Sequence, residues 1–334
     1  MELVHLTLEQ GHELAMRCLL VSGCDRENAT AVAQRMIQAE GDKCHSHGLF
    51  RLPWYCHAVK SGRANGKARP RIEQLAPAVI RVDGDNGFAP LGQTLGHPAL
   101  VACARQNGIA SLALVNMFHI AAMWPEVEAL AIDGLCAFAF TASYPYMAPA
   151  GGKTPLYGTN PMGFAWPRQD QPPLVFDQAS SAMARGEIEI CARDGRSVPE
   201  TAGVGPDGKP TTEPNEVLAG AQLGFGGYKG ASLALMIELL AGALIGDFLS
   251  FESLADDAGM AGPPKGGEFM IAIDPAKHGD PHGFLQRGER LFSAILAQQG
   301  TRLPSSRRFT NRVVTAQHGF HIPQRLYQQI MALQ

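Results

Sequence analysis

The sequence lacks the motifs that commonly mark metal, nucleotide and nucleic-acid sites. Its 334 residues contain no CxxC pair, no HExxH motif and no P-loop of the GxxxxGK[ST] type. The formal net charge is −3, and Lys and Arg are scattered apart from a short "SSRR" segment near the C-terminus. A phosphate-binding surface needs clustered cations, so we expect no nucleic-acid partner.

Signals for export or membrane insertion are also scarce. The N-terminal segment "MELVHLTLEQGHELA" has neither a basic n-region nor a long apolar run, so no signal peptide is expected. The most apolar run, "ASLALMIELLAGALI" at 231–245, is too short to span a bilayer and carries Glu238, which predicts a buried helix. Seven cysteines without a pairing framework are typical of free thiols in a reducing compartment. We therefore expect a cytoplasmic protein with no membrane partner.

A single match to the dinucleotide fingerprint GxGxxG occurs in "GVGPDG", 203–208. That fingerprint functions where it follows a strand and opens a helix. Here it contains a Pro-Asp-Gly turn within the polar stretch 196–220, which predicts a long loop. A nicotinamide cofactor, if one is used, is therefore not bound by a Rossmann fold.

The pattern along the chain predicts a mixed α/β (α+β) fold with helical ends. Thr7 with Gln10 fits a capping box for a first helix, and Asp25 lies near the start of a second. A third helix is predicted from about 49 to 60, with Pro53 in its first turns. Further predictions are a strand "AVIRVDG" ending in the turn "DGDNG", a helix capped by Ser180 or Ser181, and helices at 282–299 and 323–333. We expect a helical N-terminal region, 1–75, packed with a helical C-terminal region, 285–334, around a core 76–284 that binds cofactor and substrate.

The stretch "GDKCHSHGLFRLPWY", 41–55, concentrates chemically active side chains. His47 suits a general acid because its pKa lies near working pH, Ser46 could orient it, and Arg51 could hold a carboxylate through two hydrogen bonds. Alternatively, His47 caps a helix and Arg51 pairs with a surface acid. A metal site of Cys44, His45 and His47 would serve a metal-dependent hydrolase. Neighbouring side chains point in different directions, however, and we predict no metal.

Other candidates lie along the chain and each has a structural alternative. His119 follows a predicted strand and Asp177 ends the apolar run "PLVFD", where site residues, core histidines and helix caps all occur. The glycine cluster "GFGGYKG", 224–230, fits an anion site at a helix N-terminus or a tight turn. The segment "TRLPSSRR", 301–308, could bind a phosphate, including an extra ribose phosphate, or form a solvated loop.

These pieces occur together and in order in a known family. The motifs "SHGLFRLPWY", "DGDNGFAPLG", "FHIAAMWPEVEALA", "YGTNPMGFAWP", "LVFDQASSAMARGEIEICARDG", "DGKPTTEP" and "FGGYKGASLALMIELLAGAL" cover nearly the whole chain. The sequence resembles the malate/L-lactate dehydrogenase family of NAD(P)H-dependent oxidoreductases, which has its own non-Rossmann fold. Within it, "HSHGLFR", "AAMWPEVE" and "RLPSSRR" are most similar to the Δ1-pyrroline-2-carboxylate and Δ1-piperideine-2-carboxylate reductases.

The resemblance implies roles for individual residues. Ser46 and His47 match a charge-relay residue and a proton donor. The implied substrate contacts are Arg51, Thr159, Arg185 and Gly186. The implied cofactor contacts are His119, Ile120, Ala121, Ala122, Met123, Asp177, Gln178, Ala179, Tyr228, Arg302, Leu303, Pro304, Ser305, Ser306, Arg307 and Arg308. Three positions depart from the family pattern: Met117 and Phe118 replace polar residues before His119, and Tyr228 replaces a histidine.

The implied activity is NADPH-dependent reduction of cyclic imines, with weaker use of NADH. Δ1-Piperideine-2-carboxylate would give L-pipecolate and Δ1-pyrroline-2-carboxylate would give L-proline, in proline metabolism or lysine catabolism. The resemblance also implies a homodimer. A 2-hydroxyacid dehydrogenase of the same family and a non-enzymatic binding protein of this fold remain alternatives.

Overall fold

The computed structural model describes residues 2–119, 122–259 and 262–334. Its strands are β1 (Leu3–Leu6), β2 (Arg71–Ala76), β3 (Val79–Phe88), β4 (Ile109–Phe118), β5 (Cys136–Thr141), β6 (Met162–Trp166), β7 (Leu174–Gln178), β8 (Gly203–Val204), β9 (Ala221–Gln222), β10 (Lys265–Ile273) and β11 (Phe320–Pro323). Its helices are α1 (Leu8–Val21), α2 (Arg26–Gly41), α3 (Leu52–Lys60), α4 (Ala89–Asn107), α5 (Trp124–Ile132), α6 (Arg185–Asp194), α7 (Pro214–Ala219), α8 (Tyr228–Glu238), α9 (Ser250–Asp257), α10 (Phe284–Leu296), α11 (Ser306–His318) and α12 (Gln324–Met331).

A mixed sheet forms the centre of the molecule, which confirms the predicted α/β fold. The largest sheet in the described residues has seven strands in the order β2-β3-β4-β10-β5-β6-β7. β3 and β4 are parallel, and the other neighbours are antiparallel. Strand β10 comes from late in the chain and lies between β4 and β5, so it brings its side chains to the middle of the sheet.

Helices cover both faces of this sheet. Successive side chains of each strand point to opposite faces, so both faces carry apolar groups that need covering. Ala137 and Ala139 of β5 pack in the core that α4 and α5 close. Phe138 and Phe140 point the other way, against α8. The sheet is therefore a buried layer between helices.

The two ends of the chain share a second core. β1 pairs antiparallel with β11, and residues of α1, α2 and α3 pack with Phe320, Ile322 and Ile330. The boundaries proposed for the helical ends and the central core stay a prediction.

Local sequence signals predicted several helix boundaries correctly. Thr7 and Gln10 form the capping box at the start of α1, with Thr7 Oγ1 accepting from the Gln10 N–H at 3.1 Å. Asp25 caps α2 by accepting from the Asn28 N–H at 3.0 Å. Pro53 lies in the first turn of α3, and α10 and α12 lie within the predicted C-terminal helices.

The predicted end of the strand at "DGDNG" was wrong. β3 continues to Phe88, and its pairing with β4 shifts register between Asp83 and Gly87. Asp85 and Asn86 adopt left-handed backbone conformations, with φ of 53° and 58°. The turn signal is therefore a kink within the strand, since Asp and Asn tolerate this conformation.

The predicted cap of the sixth helix was also wrong. α6 begins at Arg185 with Ala184 as its N-cap, while Ser180 Oγ donates to the Asn160 carbonyl and Ser181 Oγ to the Met183 carbonyl. The stretch 196–220 is not a plain loop, because it contains β8 and α7.

The apolar run 231–245 is not one buried helix. α8 ends at Glu238, a π-helical segment Leu239–Ala243 follows, and Leu235, Leu239 and Leu244 are exposed. Across the described ranges, helices are too short or too polar to cross a membrane.

Candidate active site

The turn that carries the catalytic candidates is shaped by a buried carboxylate. Two 3₁₀ turns, His45–His47 and Leu49–Arg51, follow α2. Glu40, at the end of α2, accepts the Leu49 N–H through Oε1 at 2.8 Å. A Cβ on Gly48 would lie 2.1 Å from that oxygen, so a larger residue in the "SHG" sequence would displace the Glu40 side chain.

Ser46, His47 and Arg51 are joined by hydrogen bonds. Ser46 Oγ lies 2.9 Å from His47 Nδ1, and Arg51 Nε donates to the Ser46 carbonyl at 2.7 Å. The Arg51 guanidinium stacks on the Trp54 ring, 4.5 Å from its centroid. Ser46 thus contacts Nδ1 of the imidazole and not Nε2.

The same turn does not have the geometry expected of a metal centre. His45 Nδ1 lies 2.6 Å from Glu40 Oε2, and this contact raises the pKa of His45. Within residues 2–119, 122–259 and 262–334, no group of three or more His, Cys, Asp or Glu side chains could hold a metal ion.

A small pocket of about 30 Å³ lies beside His47. Its lining includes His119, Ala122 and Met123 of the predicted cofactor segment. His119 is buried and donates from Nε2 to the Gly266 carbonyl at 3.0 Å. Burial lowers the pKa of His119 to about 4, so this imidazole is neutral at physiological pH.

A larger cleft of about 760 Å³ includes the start of the 41–51 segment in its lining. Its lining combines Asp42, Lys43, Cys44, Phe176 and Asp177 with the C-terminal residues Arg302, Pro304, Ser305, Ser306, Arg307 and Arg308. Its volume falls in the range of ligand and cofactor sites. Four cations on its wall suit the phosphates of a dinucleotide, so the residues present fit an NAD(P)H molecule.

Asp177 connects the predicted cofactor segments. Its Oδ2 accepts the Met123 N–H at 2.8 Å and the Trp124 N–H at 3.2 Å, so it caps the start of α5 from the end of β7. Burial raises the pKa of Asp177 to about 6, although these N–H groups and Arg308 oppose the shift. Asp177 therefore caps a helix, as the alternative predicted, and it also lines the cleft.

Trp124 lies between the pocket and the cleft. Its Nε1 donates to Asp42 Oδ2 at 2.9 Å, and Arg312 donates to both Asp42 and Glu128. The Arg308 guanidinium lies 4.5 Å from the centroid of the Trp124 ring, and the His47 ring meets it edge-on at 6.3 Å. One indole thus contacts both the catalytic candidate and a predicted cofactor arginine.

Of the predicted substrate residues, Arg51 and Arg185 share the same charged neighbours, whereas Thr159 lies in a separate loop. The Arg185 guanidinium lies 3.9 Å from the centroid of Tyr146 and pairs with Glu189 at 3.5 Å. Burial lowers the pKa of Arg51, while the charges of Glu189 and Tyr146 oppose the shift, so Arg51 and Arg185 share these neighbours. A Cβ on Gly186 would meet nothing within 4 Å.

Thr159 lies in a loop that buried groups hold in place. Its carbonyl accepts the Ser180 N–H at 2.7 Å. The adjacent Asn160 side chain donates to Glu238 Oε1 at 2.7 Å and to the Ala234 carbonyl at 3.0 Å. The "GTNP" turn is thereby anchored to α8.

Other predicted contacts lie outside this cluster. Tyr228 begins α8 and is 67% exposed, and Gln178 is exposed at the end of β7. Leu303 is buried, and Ala179 lies just after β7. Ile120 and Ala121 lie outside the described residues. The roles of all these site residues stay predictions.

The glycine cluster at 224–230 forms a tight turn. Gly227 has φ of 67°, and a Cβ on Gly230 would lie 2.3 Å from the Ser180 carbonyl oxygen. Close packing therefore accounts for these glycines without an anion. Met117 and Phe118, which depart from the family pattern, are fully buried core residues.

Sequence reasoning missed several side chains that line the pocket and the cleft. Trp124 and Glu126 lie in the motif "MWPEVE", whose family resemblance was the available signal. Gln93 and Glu268 come from α4 and β10, and no motif marks either of them. Only the strand order brings them to His119.

The chain combines a mixed seven-stranded sheet with a basic cleft and a hydrogen-bonded Ser-His-Arg turn. The sequence model of the malate/L-lactate dehydrogenase family matches residues 6–331, and the chain belongs to this family. The predicted resemblance is thereby confirmed.

Among individual proteins, the chain is similar to Δ1-pyrroline-2-carboxylate reductase of Ancylobacter novellus, with 46% identity over 99% of this chain and 98% of the relative. It is similar to Δ1-pyrroline-2-carboxylate/Δ1-piperideine-2-carboxylate reductase of Pseudomonas aeruginosa, with 45% identity over 99% of both chains. The crystal structure of Δ1-piperideine-2-carboxylate reductase from Pseudomonas syringae superposes with a TM-score of 0.94, at 39% identity over 99% of this chain and 100% of that one.

Proposed function

We propose that this protein is an NADPH-dependent reductase of cyclic imino acids. It reduces Δ1-piperideine-2-carboxylate to L-pipecolate and Δ1-pyrroline-2-carboxylate to L-proline. The observation that carries the proposal is the hydrogen-bonded set of Ser46, His47 and Arg51, in which His47 lines the small pocket and the preceding residues 42–44 line the basic cleft. Full-length relatives named for this reaction support the choice of substrate.

Arg51 is the proposed anchor of the substrate carboxylate. A guanidinium binds a carboxylate through two parallel hydrogen bonds, which fixes both position and orientation. The Nε–H of Arg51 is already bonded to the Ser46 carbonyl, so its terminal nitrogens would face the substrate. Arg185, Gly186 and Thr159 would complete the wall around the ring.

His47 is the proposed proton donor. The imidazolium would give its Nε2 proton to the imine nitrogen, while Ser46 holds Nδ1 and so sets the direction of the ring. Protonation of the nitrogen makes the imine carbon more electrophilic. It also neutralises the negative charge that hydride addition would place on that nitrogen. Bound NADPH supplies that hydride, and the protein supplies orientation and electrostatics.

The preference for NADPH over NADH is included in the proposal. Arg302 and Arg307 are exposed at the cleft, where a ribose phosphate would add two negative charges. Arg308 is less exposed and donates to Ser305 Oγ at 3.1 Å, which suits a role in fixing the cleft wall. The residues of 302–308 would therefore bind phosphate rather than the nicotinamide ring.

Assembly as a homodimer and a cytoplasmic location are proposed as well. The apolar residues Leu235, Met236, Leu239 and Leu244 are exposed along α8, the π-helical segment and the residue that follows it, and a second copy would remove them from water. All seven cysteines are free thiols, which suits a reducing compartment.

The direct test of the proton donor is His47→Ala. Loss of a general acid should lower turnover of the imines by a factor of about 10² to 10⁴. The matched control is His97→Ala, because His97 lies on α4 and contacts Asp133 on the surface. Near-normal turnover by the His47 variant would refute the assignment, and an equal loss in the His97 variant would show that the effect is not specific to the site.

A further inference from the structure

Two buried carboxyl groups line the pocket beside His47, and the proposed mechanism uses neither. They are Glu126 of α5 and Glu268 of β10, whose side chains are 3% and 0% exposed. The pocket also touches His47, His119 and Gln93. Buried acids are uncommon without a full set of partners, so their bonding is informative.

Each carboxyl group has one satisfied oxygen and one unsatisfied oxygen. Gln93 Nε2 donates to Glu268 Oε2 at 2.7 Å, and Arg35 pairs with Glu126 Oε1 at 3.1 Å. Glu268 Oε1 and Glu126 Oε2 are buried without a hydrogen-bond partner. A pocket of about 30 Å³ has room for at least one water molecule.

Among the described residues Arg35 pairs with Glu126, and no Lys or Arg pairs with Glu268. Arg35 of α2 is the cation that contacts the pair, and it faces Glu126. The other titratable groups around the pocket are His119 at the end of β4, Tyr55 of α3, His47, and Asp177 of β7, whose charge interacts with Glu126. His119 donates from Nε2 to Gly266, so its unprotonated Nδ1 lies 3.6 Å from Glu268 Oε2 and supplies no positive charge.

One proton therefore belongs to this pair at neutral pH. Burial and the nearby Glu126 raise the pKa of Glu268 to about 8, and burial also raises the pKa of Glu126. Arg35 pairs with Glu126 and opposes the rise in its pKa, so we assign the proton to Glu268. Glu268 Oε2 accepts from Gln93, which places the proton on Oε1, the oxygen that faces no protein partner.

We propose that Glu126 and Glu268 form an internal proton store that returns a proton to His47 through water in the shared pocket. The proposal rests on the proposed function, in which His47 loses its Nε2 proton to the substrate nitrogen. The O–H bond of Glu268 Oε1 then breaks, the pocket water passes a proton on, and an N–H bond forms on His47. Glu268 is left as a carboxylate and regains a proton from solvent between turnovers.

The kinetic test uses Glu268→Gln, which keeps the shape and the Gln93 contact but cannot release a proton. The first turnover, measured with enzyme in excess over imine, should be unchanged, because His47 begins that turnover protonated. Steady-state turnover should fall about ten-fold, less than for loss of the acid itself, with a larger solvent deuterium isotope effect. Unchanged steady-state turnover and isotope effect would overturn the proposal.

The matched control is Asp274→Asn, a second buried carboxyl group that directly follows β10. Asp274 pairs with Arg105 and accepts the Ala276 N–H, and it does not line the pocket. This variant should keep both the first turnover and the steady-state rate. An equal loss of steady-state turnover in both variants would mean that a general change in the strand, and not a proton store, causes the effect.

Infrared difference spectroscopy provides a test that does not depend on turnover. Wild-type protein should show a buried protonated carboxyl group that loses its proton near pH 8, and this signal should be absent in Glu268→Gln and present in Asp274→Asn. A wild-type protein without that signal would overturn the proposal. A wild type that shows the signal but reduces no imine would refute the proposed function instead, so the two failures are distinguishable.

Discussion

At the scale of single residues, the sequence predicted the reactive groups better than the buried residues that surround them. Ser46, His47 and Arg51 are close in sequence, and the structure joins them through hydrogen bonds. Trp124, Glu126 and Glu268 were not predicted as site residues, because residue type and periodicity do not separate a buried Trp or Glu of a site from a core or surface residue, and only the family motif pointed to the first two. Their positions depend on contacts between distant segments of the chain.

Asp177 gives a prediction about the pH dependence of stability. Its pKa is about 6 in the folded protein and about 3.9 when unfolded, so the folded state binds the proton more tightly between these values. Protonation of Asp177 thus favours folding, and its contribution falls as pH rises from about 4 to about 6. Asp177→Asn should remove this dependence while its side-chain oxygen still accepts the Met123 and Trp124 N–H groups.

Urea unfolding of wild type and Asp177→Asn across that pH range would measure the effect. The free energy of unfolding of the wild type, relative to the variant, should decrease as pH rises through the window. The exposed Asp207 has a lowered pKa, so Asp207→Asn is a control in which any change has the opposite direction. A difference between wild type and Asp177→Asn that does not change with pH would contradict the assignment.

At the scale of elements, helices with capping signals and strong apolar spacing were predictable. α1 and α2 began where Thr7 and Asp25 indicated. α11 was not predicted, and the segment 301–308 was interpreted as a binding segment or loop. Only Thr315 of α11 is buried, and its N-cap residue Ser305 makes no capping hydrogen bond through its side chain, so a largely polar helix without a cap left little signal in the sequence.

The 45–51 turn gives a prediction at this scale. Gly48→Ala would place a methyl group 2.1 Å from Glu40 Oε1, which must move and release the Leu49 N–H. We expect a loss of about 1–3 kcal/mol in the free energy of unfolding, as in other overpacked sites, together with reduced imine turnover because His47 and Arg51 lie on either side.

Gly41→Ala is the matched control. Gly41 is the last residue of α2, and a Cβ there would meet only the Leu8 side chain of α1, at 4.0 Å. Alanine in a helix should be neutral or slightly stabilising there. Thermal and urea unfolding with parallel activity assays would compare the two variants. Equal stability of both variants would show that the Glu40 contact does not shape the turn.

At the scale of the whole molecule, the fold class was predictable and the sheet order was not. β10 lies between β4 and β5, and β1 pairs with β11 across nearly the full length of the chain. Periodicity describes local structure and contains no information about such pairings. The family resemblance supplied what periodicity could not, because motifs in register over the chain imply a common topology.

The central claim is that this molecule reduces cyclic imines next to a carboxylate. The most direct measurement is NADPH oxidation at about 340 nm by purified protein. Δ1-Piperideine-2-carboxylate, Δ1-pyrroline-2-carboxylate, pyruvate and oxaloacetate would be offered in parallel, and each would be repeated with NADH. We predict rapid turnover of the two imines, slower turnover with NADH, and little with the keto acids. Turnover of the keto acids alone would contradict the claim and make the protein a 2-hydroxyacid dehydrogenase of the same family.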